Sequence, residues 1–386
     1  MTMTRTMRIV ILGAGFGGLA AATLLRGQLS QEHSIVVIDR KKEFMMGLVN
    51  LWILHGDRKL EDAQAPLAGL DAKGIEYLND EVAAIDVKGK SVECKGKGRM
   101  SYDYLVIALG SELAPERVAG FVGRGYNLYD ASQVPPLREK LLSMKKGKVA
   151  VCIMGMPYKC PPAPYEASLL IHDMLERNGT RKEIEIDVYA PTPIALPVAG
   201  PEVSSEVVAI IERHGIHFHA SHKLKTVFDA LDFENGAVQN YDALVGIPQH
   251  RVPDVIKSSG LAEAGDWMAV DRKTLRTDFE NVFAVGDVTE IKVGQLAIPK
   301  AGIFAEAQAK VVAQQIADEI NNKPLSSAAF DGKGFCFMET GNGQAGYVDA
   351  DFFADPAPVV RLEPASQQNY EKKHDFERTR VRQWLL

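Results

Sequence analysis

The chain has 386 residues, 46% of them hydrophobic and 24% charged, with a formal net charge of -6. That length and apolar content support a packed core and two domains, while the acidic balance argues against non-specific binding of nucleic acid, which needs basic surface. Four cysteines are too few for a disulfide scaffold, their spacing offers no C-x-x-C metal or redox motif, and no apolar run reaches the ~20 residues that span a bilayer.

Arg5 and Arg8 stand ahead of an apolar run that ends in small residues, a pattern that a signal peptide shares. The glycines inside the run explain it better, so the expected location is cytoplasmic, or peripheral on a membrane. Met7 to Leu12 predicts a buried strand, Gly13-Ala14-Gly15-Phe16-Gly17-Gly18 a tight turn, Leu19 to Arg26 a helix, and Ser34 to Ile38 a second strand ending in Asp39. This is G-x-G-x-x-G in a β-α-β setting, with an acid about 20 residues on. Gly13, Gly15 and Gly18 let backbone approach a pyrophosphate, the helix N-terminus favours its charge, and Asp39 accepts hydrogen bonds from the adenosine ribose. The fingerprint alone does not separate NAD from FAD. Two later segments do: the strand Tyr104 to Leu109 ending in Gly110, and the strand Asn281 to Val285 ending in Gly286-Asp287. The three in this order resemble the FAD-binding half of the pyridine nucleotide-disulfide oxidoreductase superfamily, in which the aspartate, here Asp287, holds the ribityl chain of FAD.

Between these segments lies a second α/β region. Its strand Lys148 to Met154 leads into Gly155-Met156-Pro157-Tyr158-Lys159-Cys160-Pro161-Pro162-Ala163-Pro164-Tyr165-Glu166, and a helix runs from Tyr165 to Arg177. Proline suits the first helical turn. Cys160 therefore stands where a strand turns into a helix, and the helix dipole together with Lys159 favours its thiolate. A buried structural cysteine is the competing reading. Prolines and a tyrosine replace the bare backbone a nicotinamide dinucleotide needs, and the strand Ile184 to Tyr189 ends in Ala190-Pro191 without a ribose-binding acid. A degenerate NAD site is expected. Cys152 reads as core and Cys94 as part of a polar surface hairpin.

Ala297 to Gly302 opens a long helix through about Asn321, whose N-terminus follows the Gly-Asp strand and points at the flavin; Lys300 either reinforces its positive end or is a solvated lysine. After Asn322-Lys323-Pro324, two strands around a glycine turn carry Cys336. The segment Tyr370 to Leu386 predicts a final helix with Tyr370, Val381, Trp384 and Leu385 on one side, interrupted by His374 and Glu377, and a basic bias from Lys372, Lys373, Arg378, Arg380 and Arg382. It suits a membrane interface, its own domain or a partner subunit.

The segment Tyr158 to Glu166, with Gly56-Asp57-Arg58-Lys59-Leu60-Glu61, Pro299-Lys300-Ala301-Gly302 and Cys336, resembles sulfide:quinone oxidoreductases and the flavoprotein subunit of flavocytochrome c sulfide dehydrogenase over nearly the whole chain. The resemblance implies a Cys160–Cys336 redox disulfide or sulfur-bridged pair over the flavin ring, with Cys336 nearer the flavin. A third cysteine common in quinone-reducing members is missing between Gly110 and Cys152, a departure shared with the flavocytochrome type, as are Ser132-Gln133 and the helix Leu137 to Met144. The C-terminal end looks more like the quinone-reducing type. Glu166, one turn into its helix, either manages a proton or simply complements the dipole.

The expected fold class is therefore α/β: two Rossmann-like dinucleotide-binding domains plus a small C-terminal region. A discontinuous FAD domain (1–112 and 264–324) encloses the second domain (113–263), and 325–386 form an acceptor, membrane or interface region. The expected activity is FAD-dependent oxidation of sulfide with electrons passing to a quinone. Cys160, Cys336 and Glu166 are catalytic; Gly13, Gly15, Gly18, Asp39, Gly110, Asp287 and Lys300 bind the cofactor; no metal is expected. Alternatives are electron transfer to a protein acceptor, oxidation of another thiol or persulfide, and a flavin redox sensor without turnover. A homodimer is left open.

Overall fold

The computed structural model describes residues 5–262, 267–324 and 326–386. The expected domain boundaries at 263/264 and 325 lie outside the described residues. Two parallel five-stranded sheets organise the chain. In the first, Val282–Ala284, Tyr104–Ile107, Arg8–Leu12, Ser34–Asp39 and Glu76–Asn79 lie side by side. The pairings Ile9↔Ile35 and Ile9↔Tyr104 set its centre, and Val282↔Leu105 adds a strand from far along the chain. Apart from the edge strand Glu76–Asn79, its strands read as near-continuous apolar runs because parallel sheets are covered on both faces. The helix Phe16–Gln28 packs on one face together with the long helix Gly302–Ile320.

The second sheet has the order Tyr126–Asn127, Ala243–Ile247, Gly147–Ile153, Ile184–Tyr189 and Ile216–His219. Cys152 is fully buried at its centre, as its apolar strand predicts. Cys94 differs from expectation. The segment is a three-stranded antiparallel meander, Val82–Asp86, Ser91–Cys94 and Gly98–Ser101. Its Cys94 side chain turns inward against Val82, Ile85 and Val92. Polar flanking residues hid the inward side of an alternating strand.

A third, antiparallel sheet joins Lys333–Gly341, Gln344–Asp351 and Val359–Ser366. The first two strands match the expected glycine-turn hairpin, while the third was masked by the preceding prolines. The final helix, Gln367–Leu385, begins with Ser366 accepting a hydrogen bond from Asn369 N. It packs against its own molecule: Trp384 is 1% exposed and stands edge-on to Phe16 and Phe44, and Phe376 stacks on Phe16. Lys373 and Glu377, which sequence placed on a solvated or interrupting face, are buried as well. The helix is amphipathic toward the core, and no helix among the described residues is long and apolar enough to cross a membrane.

Candidate active site

The loop carrying Cys160 is held from several sides. Cys160 N donates to Lys300 O at 2.8 Å, its own carbonyl accepts from Ala163 N at 2.9 Å, and Tyr129 Oη donates to Lys159 O at 2.6 Å. The helix Ala163–Asn178 follows. Cys160 has φ of 53°, a left-handed conformation that a non-glycine residue keeps only where its surroundings enforce it. Cys336 comes from the opposite direction, on the strand Lys333–Gly341. The fold brings these two half-buried thiols into mutual contact.

Their electrostatics correct one expectation. The thiol–thiol hydrogen bond, followed by burial, raises Cys160 well above an ordinary thiol, and the same bond lowers Cys336. Of the two, Cys336 is the sulfur whose surroundings favour the thiolate. At Cys160 the partner sulfur outweighs the helix dipole. The Lys159 ammonium lies over the Tyr129 ring, 5.6 Å from the centroid; burial lowers its pKa, and Asp287 and Cys160 oppose that fall electrostatically.

Behind the sulfurs lies a buried ionic group. Glu166, Glu339 and Lys373 are 1%, 2% and 2% exposed. Lys373 Nζ bonds Glu166 Oε1 and stands 2.8 Å from Glu339 Oε1, which also accepts from Trp52 Nε1 at 2.6 Å. Burial pushes Glu166 up to about 7, with Glu339 adding to the rise and Lys373 opposing it. Burial alone would lower Lys373, but the two carboxylates outweigh it and raise the ammonium. Both Glu166 and Lys373 act electrostatically on the cysteines. Glu166 is thus far more than a first-turn carboxylate. Sequence reasoning missed Glu339 and Lys373. A signal was present, since Lys373 falls on the same side as Tyr370, Glu377 and Trp384 at helical spacing.

The glycine loop is shaped to receive backbone-contacting ligands. A Cβ on Gly13 would sit 2.4 Å from Ala108 O, and one on Gly18 would sit 1.8 Å from Gly13 O, so neither position admits a side chain. Gly15, by contrast, faces open space at the N-terminus of the helix Phe16–Gln28. Asp39 closes the loop: its Oδ2 accepts from Ala14 N at 2.7 Å and its Oδ1 from Lys41 N at 2.8 Å. Gly110 ends its segment, and the neighbouring Ser111 Oγ is buried without a partner. His250 Nε2 is likewise orphaned, beside Tyr129. Burial, aided by Lys159 and Lys300, drives His250 down to about 3, so the ring is neutral. Its Nδ1 bonds Pro248 O, which leaves Nε2 as an acceptor.

Asp287 lines a narrow cavity with Gly286, Thr289, Lys300, Phe304 and Gln308. Lys300 is buried rather than a solvated surface lysine. Its Nζ donates to Asp287 O at 2.7 Å and Thr289 O at 3.1 Å, and lies 3.3 Å from the centre of the Trp267 ring. Burial lowers it to about 8. Its ammonium secures the Asp287 turn, while its carbonyl secures Cys160. A helix-entry cradle, orphaned buried acceptors and an acid-lined cavity fit a dinucleotide that carries an aromatic ring system.

Residues 7–156 match the family model described as pyridine nucleotide-disulphide oxidoreductase, and residues 135–189 match the central part of the sulfide dehydrogenase (flavocytochrome c) flavoprotein chain. The chain is 28% identical over 369 residues to a sulfide-quinone reductase of Aquifex aeolicus, covering 90% of this chain and 83% of that one. A mitochondrial sulfide:quinone oxidoreductase of Mus musculus is 24% identical over 378 residues, covering 93% and 81%. The solved sulfide:quinone oxidoreductase from Aquifex aeolicus superposes with a TM-score of 0.87 at 26% identity, covering 97% of this chain and 90% of that one. The chain is a homologue of sulfide:quinone oxidoreductases, and its central part is similar to the flavoprotein chain of flavocytochrome c sulfide dehydrogenase. It is a flavoprotein oxidoreductase of α/β architecture, and its cofactor is FAD.

Proposed function

We propose that this chain oxidises sulfide through a Cys160/Cys336 redox disulfide and passes the electrons, by way of FAD, to a quinone. The observation that carries the reading is the direct coupling of these two distant thiols beside a buried carboxylate that titrates at about 7. Gly13, Gly15, Gly18 and Gly110 would admit the dinucleotide, Asp39 and Asp287 would hold its riboses and ribityl chain, and Lys300 would position the Asp287 turn. In this reading the second sheet serves as a scaffold without a nicotinamide site, which the burial of Tyr158 in the cysteine loop supports.

Hydrosulfide attacks one sulfur of the oxidised pair; the S–S bond breaks, leaving a persulfide on one cysteine and a thiolate on the other. Cys336, lowered by its partner, suits the thiolate role. Glu166 takes the sulfur-borne proton near neutral pH, and Lys373 steadies the resulting charge. A second hydrosulfide removes the outer sulfur as hydrogen disulfide, and the cysteine pair re-forms its bond as it loses two electrons. Bound FAD supplies the two-electron acceptor for that step and the link to quinone.

Strand alternation supports the acceptor. Phe335 and Phe337 flank Cys336 and face away from it. With Tyr347, Phe376, Lys372 and Arg380 they line an open groove of about 290 Å³ under the final helix. Aromatic walls stack on a flat ring, and the cations donate to its carbonyl oxygens. Anaerobic stopped-flow mixing with sulfide and then decyl-ubiquinone tests the reading. Rapid flavin bleaching followed by quinone-driven reoxidation is expected. Bleaching without reoxidation transfers the acceptor role to a protein, and absence of bleaching refutes sulfide as the substrate.

A further inference from the structure

Among the described residues, the second sheet carries a group of metal-type donors that the reaction above does not use. Parallel pairing sets Asp187 beside His217 and Tyr189 beside His219. Alternation along each strand therefore puts Glu185, Asp187, His217 and His219 on one face. His217 Nδ1 lies 3.4 Å from Asp187 Oδ1 and 3.7 Å from Glu185 Oε1. Both separations exceed the usual hydrogen-bond length. They approach the ~3.3 Å between two ligands of a tetrahedral ion whose bonds are ~2.0–2.1 Å.

A second observation points the same way. Asp187 is 1% exposed, and its Oδ2 has no hydrogen-bond partner. The Lys148 ammonium stands 3.3 Å from that oxygen and 2.9 Å from Glu185 Oε1. It supplies the balancing charge, but its side chain is 22% exposed and its flexible stem can carry the ammonium out to water. His219 Nε2, 2.7 Å from Asp187 Oδ1, fixes the carboxylate plane from the other side. Glu185 and His217 are exposed, so an ion can reach the group.

We propose that Glu185, Asp187 and His217 bind one divalent first-row transition ion of the Zn²⁺ class, with Lys148 as the built-in cation that the ion displaces. An imidazole with two carboxylates suits such an ion better than Mg²⁺ or Ca²⁺, which take oxygen ligands. Three protein donors leave a position for water. The ion would pin the edge strand Ile216–His219 to its neighbour.

The test is equilibrium dialysis of the FAD-loaded protein against Zn²⁺, in a Cys160→Ser/Cys336→Ser background that removes the reactive thiols. One Zn²⁺ per chain is expected, with a rise in thermal midpoint. His217→Ala, an exposed change that spares the core, should weaken binding about tenfold or more and abolish the thermal shift. Lys148→Met should tighten binding, because the competing cation is gone; a site that is merely an ion-pair network gives no such gain. Absence of a bound ion, binding unchanged in His217→Ala, or weaker binding in Lys148→Met would each overturn the proposal.

Discussion

Glu166→Gln isolates the buried carboxylate from the rest of the site. The change keeps the shape and leaves Lys373 paired with Glu339. In the folded protein Glu166 is raised from 4.5 to about 7. A raised carboxyl binds its proton more tightly folded than unfolded, so its contribution to stability is full below about 4.5 and is lost as pH rises through about 7. Between pH 5 and pH 8 that loss amounts to about 2.5 kcal/mol at ~1.36 kcal/mol per pKa unit. Urea titrations of the oxidised holoprotein at the two pH values should therefore show wild type losing about 2.5 kcal/mol more than Glu166→Gln. The raised Lys373 titrates above this window and does not confuse it. In stopped flow, the ratio of the two proteins' sulfide-driven bleaching rates should vary around neutral pH; hydrosulfide ionisation is common to both and cancels. Parallel stability curves together with a pH-independent rate ratio would refute the assignment of the proton to Glu166.

Three further outcomes follow from the geometry. Lys373→Met leaves Glu166 and Glu339 buried without their cation and should cost ~3–5 kcal/mol in denaturant unfolding, an amount that Glu166→Gln in the same chain partly restores. Cys160→Ser and Cys336→Ser should each abolish flavin bleaching by sulfide while leaving the yellow holoprotein intact; full bleaching in both would remove the disulfide from the mechanism. Tyr347→Ala takes one aromatic wall from the groove and should slow quinone-driven reoxidation about two- to tenfold, from a stacking loss of ~0.5–1.5 kcal/mol, with the sulfide half-reaction unchanged; slowing of both half-reactions would place the groove elsewhere in the cycle.

The features legible in sequence are those set by neighbours along the chain. The glycine cradle is one, because excluded Cβ positions at Gly13 and Gly18 follow from one turn between a strand and a helix. The Gly-Asp strand and the Cys-Pro-Pro entry to a helix are others. What sequence did not disclose depends on charge meeting charge across distant elements. Lys373 looks like one more solvated lysine until the fold sets it between Glu166 and Glu339. Lys300 can be read as a solvated lysine until two carbonyls and Trp267 enclose it. Cys160 looks like the thiolate until Cys336 arrives as the better one. Cys94 follows a simpler rule, in that one inward residue on an alternating strand is invisible among lysines and glycines.

The placement of Lys373 bears on how the protein is made. Translation supplies Glu166 and Glu339 before Lys373, and Cys160 long before Cys336. Until the final helix has left the ribosome, the growing chain holds two carboxylates destined for the interior and no cation to accompany them. The Cys160 helix cannot settle in its final charged state at that stage. Charge balance behind the two thiols is thereby tied to the arrival of the final helix.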